Sequence, residues 1–296
     1  MTAPPDAAWL PAAARALGGA PVVLDRTPLS GGYVAASVER LDLDVAGRTV
    51  PVVLKTASPV EVAAMRAVNV VGADAAVLAA GDGWLLVPFV DGAPPADGEP
   101  APDGVWASLA RIHAHWWRKR PRGVPVVDAA YWRSLCDRTL VAVRGAAART
   151  GDPAFGEVAD ALASWRDDPR MAAALAVLPR TLVHGDAHRG NVLGATLIDW
   201  GNARVAPAAV DVLTLSGVPG AVAPAAYTAG FDAPPEFADV ERAWADVHVH
   251  VHYLGFAADH LGAARVTEMA GIAARGLDAL GPALTPHRTR SAPDRP

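Results

Sequence analysis

The 296-residue sequence predicts an α+β chain of two lobes, a small β-rich N-lobe over residues 1–91 and a larger helical C-lobe over 92–296. Three observations carry that prediction. Residues 22–55 and 75–92 hold short apolar runs broken by glycine-bearing turns, the pattern of strands and hairpins. Residues 91–104, DGAPPADGEPAPDG, form a linker rich in Pro, Gly and Asp. Beyond it the chain turns to long apolar stretches at helical spacing, interrupted by one hairpin-like segment near 181–201.

Each element has a local reason. The run 22–45 is broken at Ser30-Gly31-Gly32, and RTVPVVLK (48–55) follows across a turn at Ala46-Gly47-Arg48. Ser58-Pro59-Val60-Glu61 places a capping serine, a proline at the first helical position and an acid three residues after the cap, so a helix starts there. Two strands flank Gly81-Asp82-Gly83. Helices are expected in VWASLARIHAHWWRKR, SLCDRTLVAVRGAAAR, FGEVADALASW and MAAALAVL, then near 208–217, 236–260 and 262–280. The tail TPHRTRSAPDRP is expected to fray.

Composition narrows the function classes. Hydrophobic residues at 52% and charged residues at 19% exclude a disordered chain. A net charge of −5 argues against nucleic acid as the main partner. The single cysteine, Cys136, excludes an intramolecular disulfide framework and reads as a small buried hydrophobe. The chain has no uninterrupted apolar run of about 18 residues and no basic-then-apolar leader, so it reads as cytoplasmic with no membrane partner. It holds two lysines (Lys55 and Lys119), three asparagines (Asn69, Asn191 and Asn202) and no glutamine. Where arginine so outnumbers lysine, a retained lysine suggests a site that needs an ammonium.

The chemistry concentrates in His184-Gly185-Asp186-Ala187-His188-Arg189-Gly190-Asn191, followed by Leu197-Ile198-Asp199-Trp200. If 191–193 pairs with 197–199 across a three-residue loop, Asn191 sits opposite Asp199 on one face. An amide oxygen and a carboxylate together are hard-oxygen ligands of the kind Mg²⁺ accepts beside phosphate oxygens. Asp186, in a glycine-flanked polar loop, could orient a hydroxyl and accept its proton. A catalytic-loop Asp, an Asn five residues on and an Asp at the end of a hairpin is the logic of phosphoryl transfer in kinase-like folds. The glycines of Ser30-Gly31-Gly32 could cover phosphates with backbone N–H groups, or could simply form a tight turn. Lys55 could neutralise phosphate charge.

HGDAHRGNVL followed by LIDWG resembles the aminoglycoside phosphotransferase family, small-molecule kinases of protein-kinase-like fold, and the likeness extends over nearly the whole chain. It implies transfer of the γ-phosphoryl group of ATP or GTP to a small-molecule hydroxyl, with Mg²⁺ and with nucleotide in the cleft between the lobes. VVLK resembles the nucleotide-binding lysine strand and EVAAMR the helix whose Glu pairs with it, although Glu61 could instead close a capping box with Ser58. LLVPFVDG resembles the hinge, where Pro88 would offer a carbonyl and Val90 an N–H to the base. LARIHAHWW resembles the first long helix of the large lobe, with Trp116 and Trp117 expected in that lobe's core. Asp211 matches an acid that fixes the catalytic loop. The hairpin between Asn191 and Asp199 is shorter than is usual in the family.

Acceptor-site candidates are His188, which could approach a phosphate, and Asp246, His252 and Asp259, because the family's acceptor pocket lies among the late helices. His248, His250 and His252 lack a completing acid or cysteine for a metal set, and His184 reads as a loop anchor. Asp232, Glu236, Asp239, Glu241 and Asp246 would suit a cationic acceptor, or form a solvated helix face. The resemblance implies an antibiotic acceptor such as an aminoglycoside. A kinase of a primary metabolite and a non-catalytic nucleotide-binding module are the alternatives. No segment resembles the activation loop of a protein-substrate kinase, and the sequence does not set the oligomeric state.

Overall fold

A computed structural model describes residues 4–29, 37–72 and 77–290. It begins with helix α1 (Asp6–Leu17), strands β1 (Val22–Pro28), β2 (Val38–Val45) and β3 (Arg48–Thr56), helix α2 (Pro59–Val71), and strands β4 (Ala79–Gly81) and β5 (Trp84–Pro88). Helices α3 (Asp103–Trp116), α4 (Ala129–Thr150), α5 (Pro153–Trp165) and α6 (Pro169–Val177) follow, then strands β6 (Thr181–Val183), β7 (Val192–Leu193), β8 (Thr196–Leu197) and β9 (Arg204–Ala206). Helices α7 (Ala209–Ser216), α8 (Ala225–Thr228), α9 (Ala238–His260) and α10 (Ala263–Arg290) complete the chain. Two further helix starts repeat the signal read from sequence at Ser58-Pro59. Ser58, Asp152 and Asp168 each accept a backbone N–H just before a helix whose first residue is proline.

By packing, the described residues fall into two compact units. One comprises Met1–Pro125, His184–Arg204 and Ala225–Phe231; the other comprises Val126–Val183, Val205–Pro224 and Asp232–Pro296. In the first, β1-β2-β3-β5-β4 form an antiparallel sheet. Period-two alternation sets its core face: Leu41, Leu43 and Val45 of β2 and Val52 and Leu54 of β3 are buried with Trp84 and Leu86. Trp9 and Ala13 of α1 cover that face. This helix was not foreseen, because the Ala- and Pro-rich N-terminus shows little periodicity; the fully buried Trp9 ring holds it in place. Lys55 has the opposite parity to Val52 and Leu54, so it leaves β3 on the other face, toward α2.

The second unit is helical. Its core runs through Trp132, Leu135, Cys136, Val143, Leu162, Met171, Trp244, Val247 and Val251. Helix α10 runs to Arg290, past the 262–280 expected for it and into the segment from Thr285 that was expected to fray. The buried residues Val266, Met269, Ala273, Leu277, Leu280 and Leu284 form one continuous stripe, and Leu284 carries it into the next turn.

Candidate active site

The first cluster joins three distant points of the chain. The Ser58 hydroxyl accepts the Glu61 backbone N–H at 3.1 Å, so half of the capping box forms. The Glu61 carboxylate does not close the box; it meets the Lys55 ammonium at 2.7 Å. On its other side Lys55 Nζ donates to Asp199 Oδ1 at 3.1 Å. Glu61 and Lys55 are nearly enclosed, whereas the Asp199 side chain is half exposed. Burial pulls the Lys55 ammonium down, but the carboxylates of Glu61 and Asp199 outweigh it and hold its pKa above the ordinary lysine value. Burial also raises the Glu61 carboxyl, and Lys55 offsets only part of that rise. Asp199 adopts φ 63° and ψ 66°, a left-handed conformation that costs a non-glycine residue about 1–2 kcal/mol. An outlier held in place at a charged cluster points to function.

The second cluster is the loop after β6. His184 is fully buried. Its Nδ1 accepts the Asp186 N–H at 3.2 Å, which leaves Nε2–H to donate to the Ile198 carbonyl at 2.8 Å. His184 therefore ties the loop to the segment that delivers Asp199, as a loop anchor should. Gly185 has φ +80°, and a Cβ there would lie 2.3 Å from the Asn202 carbonyl oxygen. Only glycine permits that approach. Arg204 donates to the Gly185 carbonyl at 2.6 Å. The Asn191 side-chain amide donates to the Asp186 backbone carbonyl at 2.9 Å, and the Asn202 amide donates to Asp186 Oδ2 at 3.1 Å. His188 Nε2 stands 3.8 Å from Asp186 Oδ1, while its Nδ1 accepts the Gly190 N–H. Arg189 reaches into the linker, to the Ala96 carbonyl at 2.7 Å and the Asp97 carboxylate at 3.0 Å.

The hairpin corrects one expectation. Val192 pairs with Leu197 and Leu193 with Thr196 across the two-residue turn Gly194-Ala195, with Gly194 at φ +55°. Asn191 thus falls opposite Ile198, whose N–H it receives at 2.8 Å, and not opposite Asp199. The expected register was one residue too long, and a one-residue slip reverses the face of every side chain. Asp199 lies just past the ladder, where its left-handed backbone lets the chain leave the hairpin toward Lys55.

A family model for the phosphotransferase enzyme family (APH) matches residues 25–248. The chain belongs to this family. None of the curated proteins compared with the chain matches it in sequence. Among solved structures, this phosphotransferase resembles a thermostable mutant of aminoglycoside phosphotransferase APH(4)-Ia in ternary complex with ADP and hygromycin B. The TM-score is 0.53 at 16% identity, over 90% of this chain and 96% of that one. It also resembles choline kinase from Cryptosporidium parvum Iowa II, with a TM-score of 0.54 at 8% identity over 90% of both chains. An aminoglycoside phosphotransferase from Alicyclobacillus acidocaldarius gives a TM-score of 0.50 at 17% identity, over 90% of this chain and 92% of that one. The fold is α+β and protein-kinase-like.

The remaining candidates distribute unevenly in this phosphotransferase. Ser30, Gly31 and Gly32 lie outside the described residues. Pro88 ends β5 opposite Val52, and the next N–H, that of Phe89, goes to the Pro51 carbonyl at 3.1 Å. Among the acceptor candidates, Asp246 and Asp259 are not brought together. Asp246 and Asp259 are 13 residues apart on α9, about 20 Å along its axis. Asp259 pairs with Arg149 at 2.7 Å, and Asp246 accepts the Gly220 N–H at 3.0 Å. Burial raises the Asp246 carboxyl above its ordinary value. His248 is fully buried and stacked on Trp244 with ring centroids 4.6 Å apart, so it is a core residue and lines no open pocket. Trp116 and Trp117 are half-buried and belong to the first unit, not to the helical unit whose core was expected to hold them. Trp116 bonds to the Ala67 carbonyl of α2, and Trp117 meets Phe231 edge-on. Sequence reasoning missed Asn202 and Arg204. The scarcity of asparagine could have flagged the first.

Proposed function

We propose that this chain transfers the γ-phosphoryl group of ATP or GTP to a hydroxyl of a small molecule, with residues 1–91 as its nucleotide-binding lobe and 92–296 as its catalytic and acceptor lobe. The observation that carries the reading is the linked set Glu61–Lys55–Asp199, lying in one compact unit with Asp186 and Asn191. A buried ammonium held between two carboxylates is fixed in position and fully charged. Lys55 would steady the nucleotide's phosphates, with Glu61 holding it. Backbone groups at Ser30, Gly31 and Gly32, and at Pro88 and Val90, would contact the nucleotide.

The donor set suits Mg²⁺. The Asn191 amide nitrogen is committed to the Asp186 carbonyl, which leaves the amide oxygen as its ligand atom, and Asp199 adds a half-exposed carboxylate. Bound there, Mg²⁺ would neutralise charge on the β- and γ-phosphate oxygens. The acceptor O–H bond breaks as its proton passes to Asp186. The freed oxygen bonds to the γ-phosphorus, and the bond from that phosphorus to the bridging oxygen breaks to release the nucleoside diphosphate. His188, beside Asp186, lies where an acceptor or phosphate would approach.

The proposed acceptor is a cationic hydroxylated natural product of the antibiotic type, giving a resistance function. Of the acids that would suit it, Asp232 and Glu236 are exposed, Asp239 pairs with Arg242, and Glu241 is buried and holds the Ala209 N–H. The second reading, a kinase of a primary-metabolite alcohol, draws on the fold shared with choline kinase. Acceptor-dependent release of ADP from Mg-ATP, or GDP from Mg-GTP, across separate pools of hydroxylated antibiotics and metabolites tests both. Release with the antibiotic pool supports the first and release with the metabolite pool the second. Mg²⁺-dependent nucleotide binding without release in any pool would point to an acceptor outside both pools, and no nucleotide binding at all would favour a non-catalytic scaffold.

A further inference from the structure

We propose that Arg189 is a positioning residue that sets the metal ligand Asn191 against the nucleotide, by clasping the loop after β6 to the 91–104 linker. The inference rests on the reading of Asn191 as a Mg²⁺ ligand. The linker and the loop belong to the same compact unit. Residues 96–99 of the linker close a turn, in which the Ala96 carbonyl accepts the Glu99 N–H at 3.0 Å and the Glu99 carboxylate accepts the Ala96 N–H at 3.0 Å. Arg189 Nη2 donates to that same Ala96 carbonyl at 2.7 Å and to the Asp97 carboxylate at 3.0 Å. A carbonyl has two lone pairs and can hold both donors. The Asp97 side chain is fully exposed and adds little, so the carbonyl contact carries the clasp. On either side of this turn the linker touches the hairpin that follows Asn191. A Cβ on Gly92 would lie 3.1 Å from the Gly194 nitrogen, and one on Gly104 would lie 3.1 Å from the Ala195 Cβ. Arg189 opens the 3₁₀ turn Arg189–Asn191, and its carbonyl receives the Val192 N–H at the entry to the hairpin. What holds its guanidinium therefore also holds Asn191. The linker in turn continues the chain from Pro88 and Val90, the proposed contacts to the base. One nucleotide would have to meet both ends of this path, with its base at 88–90 and its phosphates, through the metal, at Asn191. Arg189 fixes the span between them.

The test compares Arg189→Ala, Arg189→Lys and Asn191→Ala with the wild type. The first readout is the Kd for Mn²⁺ of the protein saturated with a non-hydrolysable ATP analogue, from the paramagnetic resonance of free Mn²⁺. The Kd of the analogue in EDTA and hydrogen exchange of residues 92–99 are the others, and melting temperatures control for folding. Arg189 is a cation two residues from the ligand, so by charge alone its removal would tighten Mn²⁺ binding. A positioning role predicts the reverse. In Arg189→Ala the expected Mn²⁺ affinity is weaker by about fivefold, the equilibrium value of one net hydrogen bond, with the metal-free analogue Kd within about twofold of wild type. Exchange in 92–99 should be faster. Arg189→Lys should restore Mn²⁺ affinity, because a single nitrogen carries these contacts and an ammonium can replace it. Unchanged or tighter Mn²⁺ binding in Arg189→Ala, with binding weakened in Asn191→Ala, would overturn the clasp and leave Asn191 as a ligand. An equal loss of analogue affinity with and without metal would also overturn it, since Arg189 would then support the fold at large. Undiminished Mn²⁺ affinity in Asn191→Ala, or no binding of the analogue to the wild type, would remove the underlying reading and this inference with it.

Discussion

Replacing Lys55 by methionine removes the cation from a buried site and leaves Glu61, 5% exposed, without the partner that stood 2.7 Å away. Stranding a buried charge costs about 3–5 kcal/mol. Glu61→Gln is the milder change. Lys55 keeps Asp199 at 3.1 Å, and about 2 kcal/mol, one hydrogen bond to a charged group, is the expected loss. Lys55→Met should therefore destabilise the protein more than Glu61→Gln, although both remove the same ion pair. The pH dependence follows from the same geometry. Burial already raises the folded-state Glu61 carboxyl, and removing Lys55 raises it further. A raised carboxyl binds a proton in the folded state at pH values where the unfolded chain has lost it. Its contribution is thus present below the unfolded value and fades as pH rises through the folded one. Lys55→Met should be more stable, relative to wild type, near pH 5 than near pH 8. Urea unfolding followed by the fluorescence of the nine tryptophans at the two pH values measures this. Equal destabilisation by the two substitutions, or a Lys55→Met penalty that does not change with pH, would refute the account of the cluster.

Three further outcomes follow from single features. Asp199→Ala should abolish Mg²⁺-dependent turnover with the melting temperature nearly unchanged, since its side chain is half exposed; retained turnover would contradict its role as a metal ligand. Gly185→Ala puts a Cβ 2.3 Å from the Asn202 carbonyl oxygen in a backbone that L side chains rarely adopt, so a loss of about 2–3 kcal/mol is expected in denaturant unfolding. The Cys136 thiol is fully buried and its pKa is pushed up to about 12, chiefly by burial. A thiol reagent at pH 8 should find no reactive group in the native protein and one equivalent in denaturant.

What the sequence made legible was local. Ser58-Pro59 announced α2, the linker announced the change to helices, and the run from His184 to Trp200 announced the family. The joining of Lys55 to Asp199, 144 positions apart, was not read from the sequence, because no local pattern encodes so distant a contact. The hairpin register failed for a definable reason: Gly194 at positive φ closes a two-residue turn where three were assumed. Helix α1 was invisible because its anchor, Trp9, takes meaning only from the sheet it covers. The acceptor candidates on α9 were chosen by residue type. Their partners, Arg149 and the Gly220 turn, come from elements the sequence does not place beside them.

The central claim is that Asp186 takes the acceptor's proton while other residues hold the nucleotide. Comparing phosphoryl transfer and nucleotide affinity in Asp186→Asn and wild type tests it most directly. The account predicts transfer reduced by about a hundredfold to ten-thousandfold, the usual contribution of a general base, with the Kd for Mg-nucleotide within a few-fold of wild type. Normal transfer with lost nucleotide affinity would contradict it.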